Sequence, residues 1–221
     1  MSESKIITLT TDFGTSDPYV GIMKGVILSI NPKAKIIDIT HSIPPQDIIS
    51  AGVTIKNSFS FFPEKTIHLA VVDPGVGSKR SPLLIKTEKY FFIGPDNGLF
   101  SSIISNEKIE NIVKITNKNY FLKKVSRTFH GRDIFAPVTA HLSTGKRPDT
   151  FGPDLKNPII TPFPKPCIVN KNEAEGEVIH IDRFGNLLTN ISTSFIEVTA
   201  SWQREFLYLD GLLQGCLLNK L

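Results

Sequence analysis

The chain has 221 residues, 40% of them hydrophobic and 21% charged, with a formal net charge of +4. That length buries one good core, or one core with a small satellite domain, and the composition is that of an ordinary globular protein rather than a fibrous or disordered one. No apolar run approaches the roughly 20 residues that cross a bilayer, the start MSESKIITLT lacks a signal peptide's apolar centre, and the lysines are scattered rather than clustered, so a cytoplasmic protein without membrane or nucleic-acid partners is expected.

Residues 5–10 (KIITLT) alternate and are β-branched, as in a first strand, and Thr11, Asp12, Phe13 and Gly14 form its exit. Thr15, Ser16 or Asp17 offers a cap for a helix over residues 18–30, with Val20, Met23, Val26, Ile27 and Ile30 on one face and Pro32 beyond its end. Residues 35–40 (KIIDIT) read as a second strand, and residues 46–59 carry Ile48, Ile49, Val53 and Ile55 at helical spacing. Residues 67–72 form a short, buried third strand that ends at Asp73, Pro74 and Gly75. Strands and helices alternating at such short intervals predict a parallel α/β arrangement, whose ligands bind outside the carboxyl ends of the strands.

Beyond Arg80, residues 83–86 and 90–93 predict a hairpin. GPDNG (residues 94–98) leads into a helix through Leu99, Ile103 and Ile104, with Asp96 or Asn97 as its cap. Residues 112–115 read as a strand and residues 117–126 as a polar connection. His130 falls in the loop before a helix whose face is Phe135, Val138 and Leu142, because Pro137 is tolerated only near a helix start. A proline-rich stretch over residues 146–172 marks a boundary between an α/β domain, residues 1–165, and a small β domain, residues 173–221. In the latter, residues 175–191 predict two strands about a turn at 183–186, and residues 195–209 further strands. Cys167 and Cys216 lack the spacing or the company for a zinc site or a disulfide framework and are expected as free thiols.

Asp73, Arg80 and His130 each sit in a loop where such a sheet opens to solvent. A guanidinium is permanently charged, and a carboxylate and an imidazole beside it can hold a water, take its proton and stabilise the resulting oxygen. Taken singly, each has a plain structural reading as a turn former, a surface charge or a satisfied polar group. Asp12 is either an Asx-turn residue or a carboxylate placed to accept both hydroxyls of a ribose. No metal-ligand spacing appears among the other histidines.

TDFGTSDPYVGIMKG (residues 11–25), DPGVGS with Arg80, GPDNG, FHGRDIFAP (residues 129–137) and IDRFGN with TNI (residues 181–191) together resemble the S-adenosyl-L-methionine hydroxide adenosyltransferases, relatives of fluorinase and chlorinase. The resemblance implies an α/β amino-terminal domain, a smaller β-barrel, and a homotrimer with active sites between subunits. It also implies hydrolysis of S-adenosyl-L-methionine to adenosine and L-methionine, without a cofactor. Asp73, Arg80 and His130 match the family's water-activating triad, which the halogenating relatives lack in full. Asp12 matches its ribose-diol ligand, Asp17 and Asp182 the acids facing the methionine ammonium, and Asn186 the residue reading the adenine edge. The family's later Asn-Ser-Gly and Gly-Asn-Ala segments are not visible after Val198. That implies a shortened or altered barrel, with Leu212, Leu213, Leu217 and Leu218 left exposed and prone to association. A non-catalytic binder of adenosine or its sulfonium derivative is the alternative.

Overall fold

The computed structural model describes residues 6–170, 173–191 and 195. The chain divides into two compact units, Met1–Pro162 and Phe163–Leu221. The first is built on a six-stranded sheet in the order β2-β1-β3-β5-β4-β6. Its strands are β1 (Ile6–Thr11), β2 (Lys35–Thr40), β3 (Ile67–Val71), β4 (Pro82–Thr87), β5 (Phe91–Pro95) and β6 (Ile109–Lys114). β2, β1, β3 and β5 pair in parallel, and β4 lies antiparallel between β5 and β6. The β4–β5 hairpin therefore sits inside the sheet and makes it mixed rather than wholly parallel.

The period-two alternation of a strand sorts its side chains onto two faces, each covered by helices. Ile7 and Leu9 of β1 and Ile67, Leu69 and Val71 of β3 pack with Val20, Met23 and Ile27 of α1 (Tyr19–Ile30) and Val138 and Leu142 of α4 (Ala136–Ser143). Ala70 and Val72, pointing the other way, pack with Ala51 and Ile55 of α2 (Ile48–Ser58) and Ile103 of α3 (Ser101–Asn106). Tertiary packing sustains these helices, since only α2 is capped by a side chain: Asp47 accepts from Ser50 N at 2.9 Å.

Two expected caps are corrected. At α1 the N-cap is Pro18, which has no side-chain acceptor, so neither Thr15, Ser16 nor Asp17 caps it. At α3 the N-cap is Phe100, because the polar groups of GPDNG are engaged elsewhere. Asp96 Oδ1 accepts from Ile159 N at 2.8 Å, and Asn97 Oδ1 accepts from Leu99 N at 3.2 Å while its Nδ2 donates to Val72 O at 2.9 Å.

The second unit shows two antiparallel strand pairs, β7 (Cys167–Asn170) with β8 (Glu173–Glu175), and β9 (Val178–Ile181) with β10 (Leu187–Thr189). The strands expected over residues 195–209 and the exposed leucines from 212 to 218 lie outside the described residues, Phe195 excepted, as does Cys216. Cys167 is free and exposed.

Candidate active site

The register of the central strands creates the site. Thr11 of β1 pairs with Val71 of the parallel β3, so Asp12 and Asp73 leave the same edge of the sheet from neighbouring strands. After Asp73 the chain turns tightly, with Val76 N donating to Asp73 O at 3.1 Å and Ser78 N to Gly75 O at 3.0 Å. Gly77 has φ 77°, and a Cβ there would stand 2.4 Å from Arg127 O, so only glycine lets this loop lie against the segment leading to His130. The turn brings Arg80 back to Asp73. Nε donates to Oδ1 at 2.9 Å and to Oδ2 at 3.0 Å, and Nη2 donates to Oδ2. Both side chains are nearly buried, 7% and 5% exposed, a setting in which a forked pair is screened far less than on the surface.

Nη2 of Arg80 also lies 2.8 Å from Nδ1 of His130. A guanidinium only donates, so Nδ1 is the acceptor and the neutral ring carries its proton on Nε2. Burial first, and the Arg80 charge second, push the His130 pKa below its ordinary value and keep the ring neutral. His130 is the N-cap of a π-helical turn, Gly131–Phe135, which continues into α4. A buried carboxylate braces that turn: Asp133 accepts from Ser126 N at 2.7 Å and from Arg132 Nε at 2.6 Å. The Arg80 guanidinium also rests over the Phe135 ring, 5.2 Å from its centroid.

Asp12, Asp73 and His130 line one cavity of about 370 Å³, together with Phe13, Tyr19 and Gln46 among others. Arg80 is not among the lining residues but bonds to two of them, Asp73 and His130. Phe13, Tyr19 and Phe129 meet edge to face, with centroids 5.2 to 5.8 Å apart, and form an aromatic wall that sequence reasoning did not single out. Nor did it single out Gln46, whose backbone N–H donates to Asp12 Oδ2 at 2.8 Å. The Pro-Pro before Gln46 is the one local signal of an unusual turn there.

Of the remaining residues expected at the site, Asp17 is exposed ahead of α1 and is not among the cavity's lining residues. Asp182 and Asn186 belong to the second unit, at the β9–β10 turn, where Asn186 Nδ2 donates to Asp182 Oδ2 at 2.6 Å and Asn186 N to Oδ1 at 2.9 Å. These bonds from Asn186, the side chain's first, hold the Asp182 carboxyl below the usual range. Among the described residues, no group of three or more His, Cys, Asp or Glu side chains could hold a metal ion.

Residues 7–152 match the SAM hydroxide adenosyltransferase N-terminal domain and residues 176–209 its C-terminal domain. The chain belongs to this family. Similar relatives include an (R)-S-adenosyl-L-methionine hydrolase of Methanocaldococcus jannaschii, 42% identical over 94% of this chain and 72% of that protein. Another of the same name, from Salinispora tropica, is 35% identical over 89% of this chain and 76% of that protein. A fluorinase of Actinoplanes sp. is 29% identical over 94% of this chain and 79% of that one. Among solved structures, an uncharacterized conserved protein from Thermotoga maritima superposes with a TM-score of 0.82 at 39% identity, over 87% of this chain and 74% of that one.

Proposed function

We propose that this member of the SAM hydroxide adenosyltransferase family hydrolyses S-adenosyl-L-methionine to adenosine and L-methionine, water displacing the sulfonium at the 5′ carbon. The observation that carries this reading is the Arg80 fork, which ties Asp73 and His130 together at a cavity that Asp12 also lines. The names of the similar relatives point the same way.

In the displacement a water oxygen forms the new bond to the 5′ carbon while the carbon–sulfur bond breaks with its electron pair on sulfur. Methionine leaves as a neutral thioether, so the leaving group needs no acid. The water must lose a proton, and the Arg80 contact decides how the work divides. With Nδ1 engaged, neutral His130 offers a donor at Nε2 that orients the water, and the Asp73 carboxylate takes the proton. Arg80 holds that carboxylate in place through its fork and favours the hydroxide-like oxygen.

Asp12 accepts from the ribose hydroxyls and, with the carboxylates proposed for the methionine ammonium, Asp17 and Asp182, holds the reacting atoms in line. Asn186 reads the adenine edge. The reaction needs no cofactor beyond its substrate. A homotrimer with sites at subunit interfaces is the assembly we assign, in the cytoplasm; sedimentation at three chain masses checks the first of these.

The function is tested by incubating purified protein with S-adenosyl-L-methionine and separating the products by chromatography. Adenosine and methionine are expected in equal amounts. A folded protein that binds adenosine but releases none from the substrate is instead the non-catalytic binder.

A further inference from the structure

Gln46 has φ 66°, one of the two non-glycine residues with positive φ among those described. Its side chain is exposed, so core packing does not explain the conformation. The turn itself does. Asp47 N donates to Pro44 O at 3.0 Å, which places Pro45 at the second position, where its fixed φ suits the turn, and Gln46 at the third, where glycine or asparagine is usual. Downstream the chain is held at once, since Asp47 caps α2 through Ser50. A left-handed residue of ordinary type persists only where its surroundings over-determine it, and such residues gather at ligand sites. The product of this conformation is one hydrogen bond, from Gln46 N to Asp12 Oδ2 at 2.8 Å, inside the cavity.

The start of the same segment grips Asp12 from its other side. His41 is buried, with Nδ1 2.9 Å from Thr11 Oγ1 and Nε2 3.1 Å from Asp38 Oδ1. Thr11 Oγ1 accepts from Phe13 N at 3.2 Å, and His41 O accepts from Gly14 N at 2.8 Å. The residues flanking Asp12 are thus tied to His41, and its carboxylate to Gln46.

We propose that Gln46 is a positioning residue for Asp12: its left-handed backbone aims an amide at one carboxylate oxygen and sets the orientation in which Asp12 receives the hydroxyls of a ribonucleoside. One oxygen held by the amide leaves the other, with both its lone pairs, for the sugar. This rests on the reading of Asp12 as a ribose ligand, and the requirement falls on the backbone, with the glutamine side chain dispensable.

Calorimetry with adenosine and with 2′,3′-dideoxyadenosine tests it. Gln46→Val retains the amide, but a β-branched residue resists positive φ, and adenosine affinity is expected to fall about tenfold, the scale of one hydrogen bond to a charged group. Gln46→Gly, which adopts the left-handed region freely, is expected to recover what valine loses. The weak affinity for the dideoxy compound should be the same in Gln46→Val and the parent, and adding Gln46→Val to Asp12→Ala should cost nothing further. Gln46→Ala carries the same comparisons if valine prevents folding. Equal losses for both nucleosides, or additive losses in the double variant, overturn the positioning role alone. A parent protein that binds no adenosine overturns the ribose reading with it.

Discussion

Arg80 is the residue on which the site's geometry turns, because one planar fork reaches a carboxylate and an imidazole together. A lysine keeps the charge but not the fork. Arg80→Lys and His130→Ala are each expected to lower kcat by about 100-fold or more, the usual scale for a displaced acid–base group, while adenosine affinity stays within about twofold. Single-turnover kinetics alongside calorimetry separates the two quantities, and parallel loss of both contradicts the roles given. The same contact sets the pH response. The His130 pKa lies below the ordinary 6.5, so the ring stays neutral through that value and takes up a second proton only below it. The acid limb of the kcat profile is therefore expected below pH 6.5; a midpoint above it contradicts a neutral His130 as the working form.

At the scale of elements, two loops have to touch for Arg80 to reach both Asp73 and His130, and Gly77 lies against Arg127 where they do. Gly77→Ala would put a methyl group 2.4 Å from Arg127 O in a backbone conformation that alanine resists. Separation of the 73–80 loop from the His130 turn is the expected result: kcat falls by about tenfold or more, as displaced catalytic groups do, with the far-ultraviolet circular dichroism unchanged. A variant with parent kcat shows that the approach is not required. Much of this level was legible beforehand. Apolar periodicity placed α1 and α2, and the abrupt ends of β1 and β3 placed Asp12 and Asp73, since those signals are local. The caps were not legible. Asp96 and Asn97 have the right chemistry to cap α3, but Ile159 N, distant in sequence, takes an oxygen of the Asp96 carboxylate, and the Asn97 oxygen accepts from Leu99 N, ahead of the helix.

At the scale of the whole molecule, His68 ties core packing to stability in acid. It is 2% exposed, 2.8 Å from Thr8 Oγ1 and stacked on Phe92 at 5.1 Å, with Phe59, Phe62 and Tyr90 meeting its ring edge on. Burial lowers its pKa from 6.5 to about 3. Below pH 6.5 the unfolded chain gains a proton that the folded one refuses, so stability is full above that pH and drains as the pH falls towards 3. The expected loss by pH 5 is about 2 kcal/mol, at about 1.4 kcal/mol per pH unit. Urea unfolding at pH 7 and pH 5 measures it, and His68→Phe should flatten the difference. An undiminished slope in that variant assigns the acid sensitivity elsewhere.

The sequence by itself determined the alternation of strands and helices, the family, and the acid, guanidinium and imidazole to watch, because hydrophobic period, turn residues and ordered motifs are written along the chain. Tertiary structure alone decided that the β4–β5 hairpin lies inside the sheet with β6 beyond it, that one Arg80 fork holds both Asp73 and His130, and that an exposed glutamine gives its backbone amide to Asp12. Those outcomes depend on groups far apart in sequence competing for the same hydrogen bonds and the same space, and no local pattern records which of them wins.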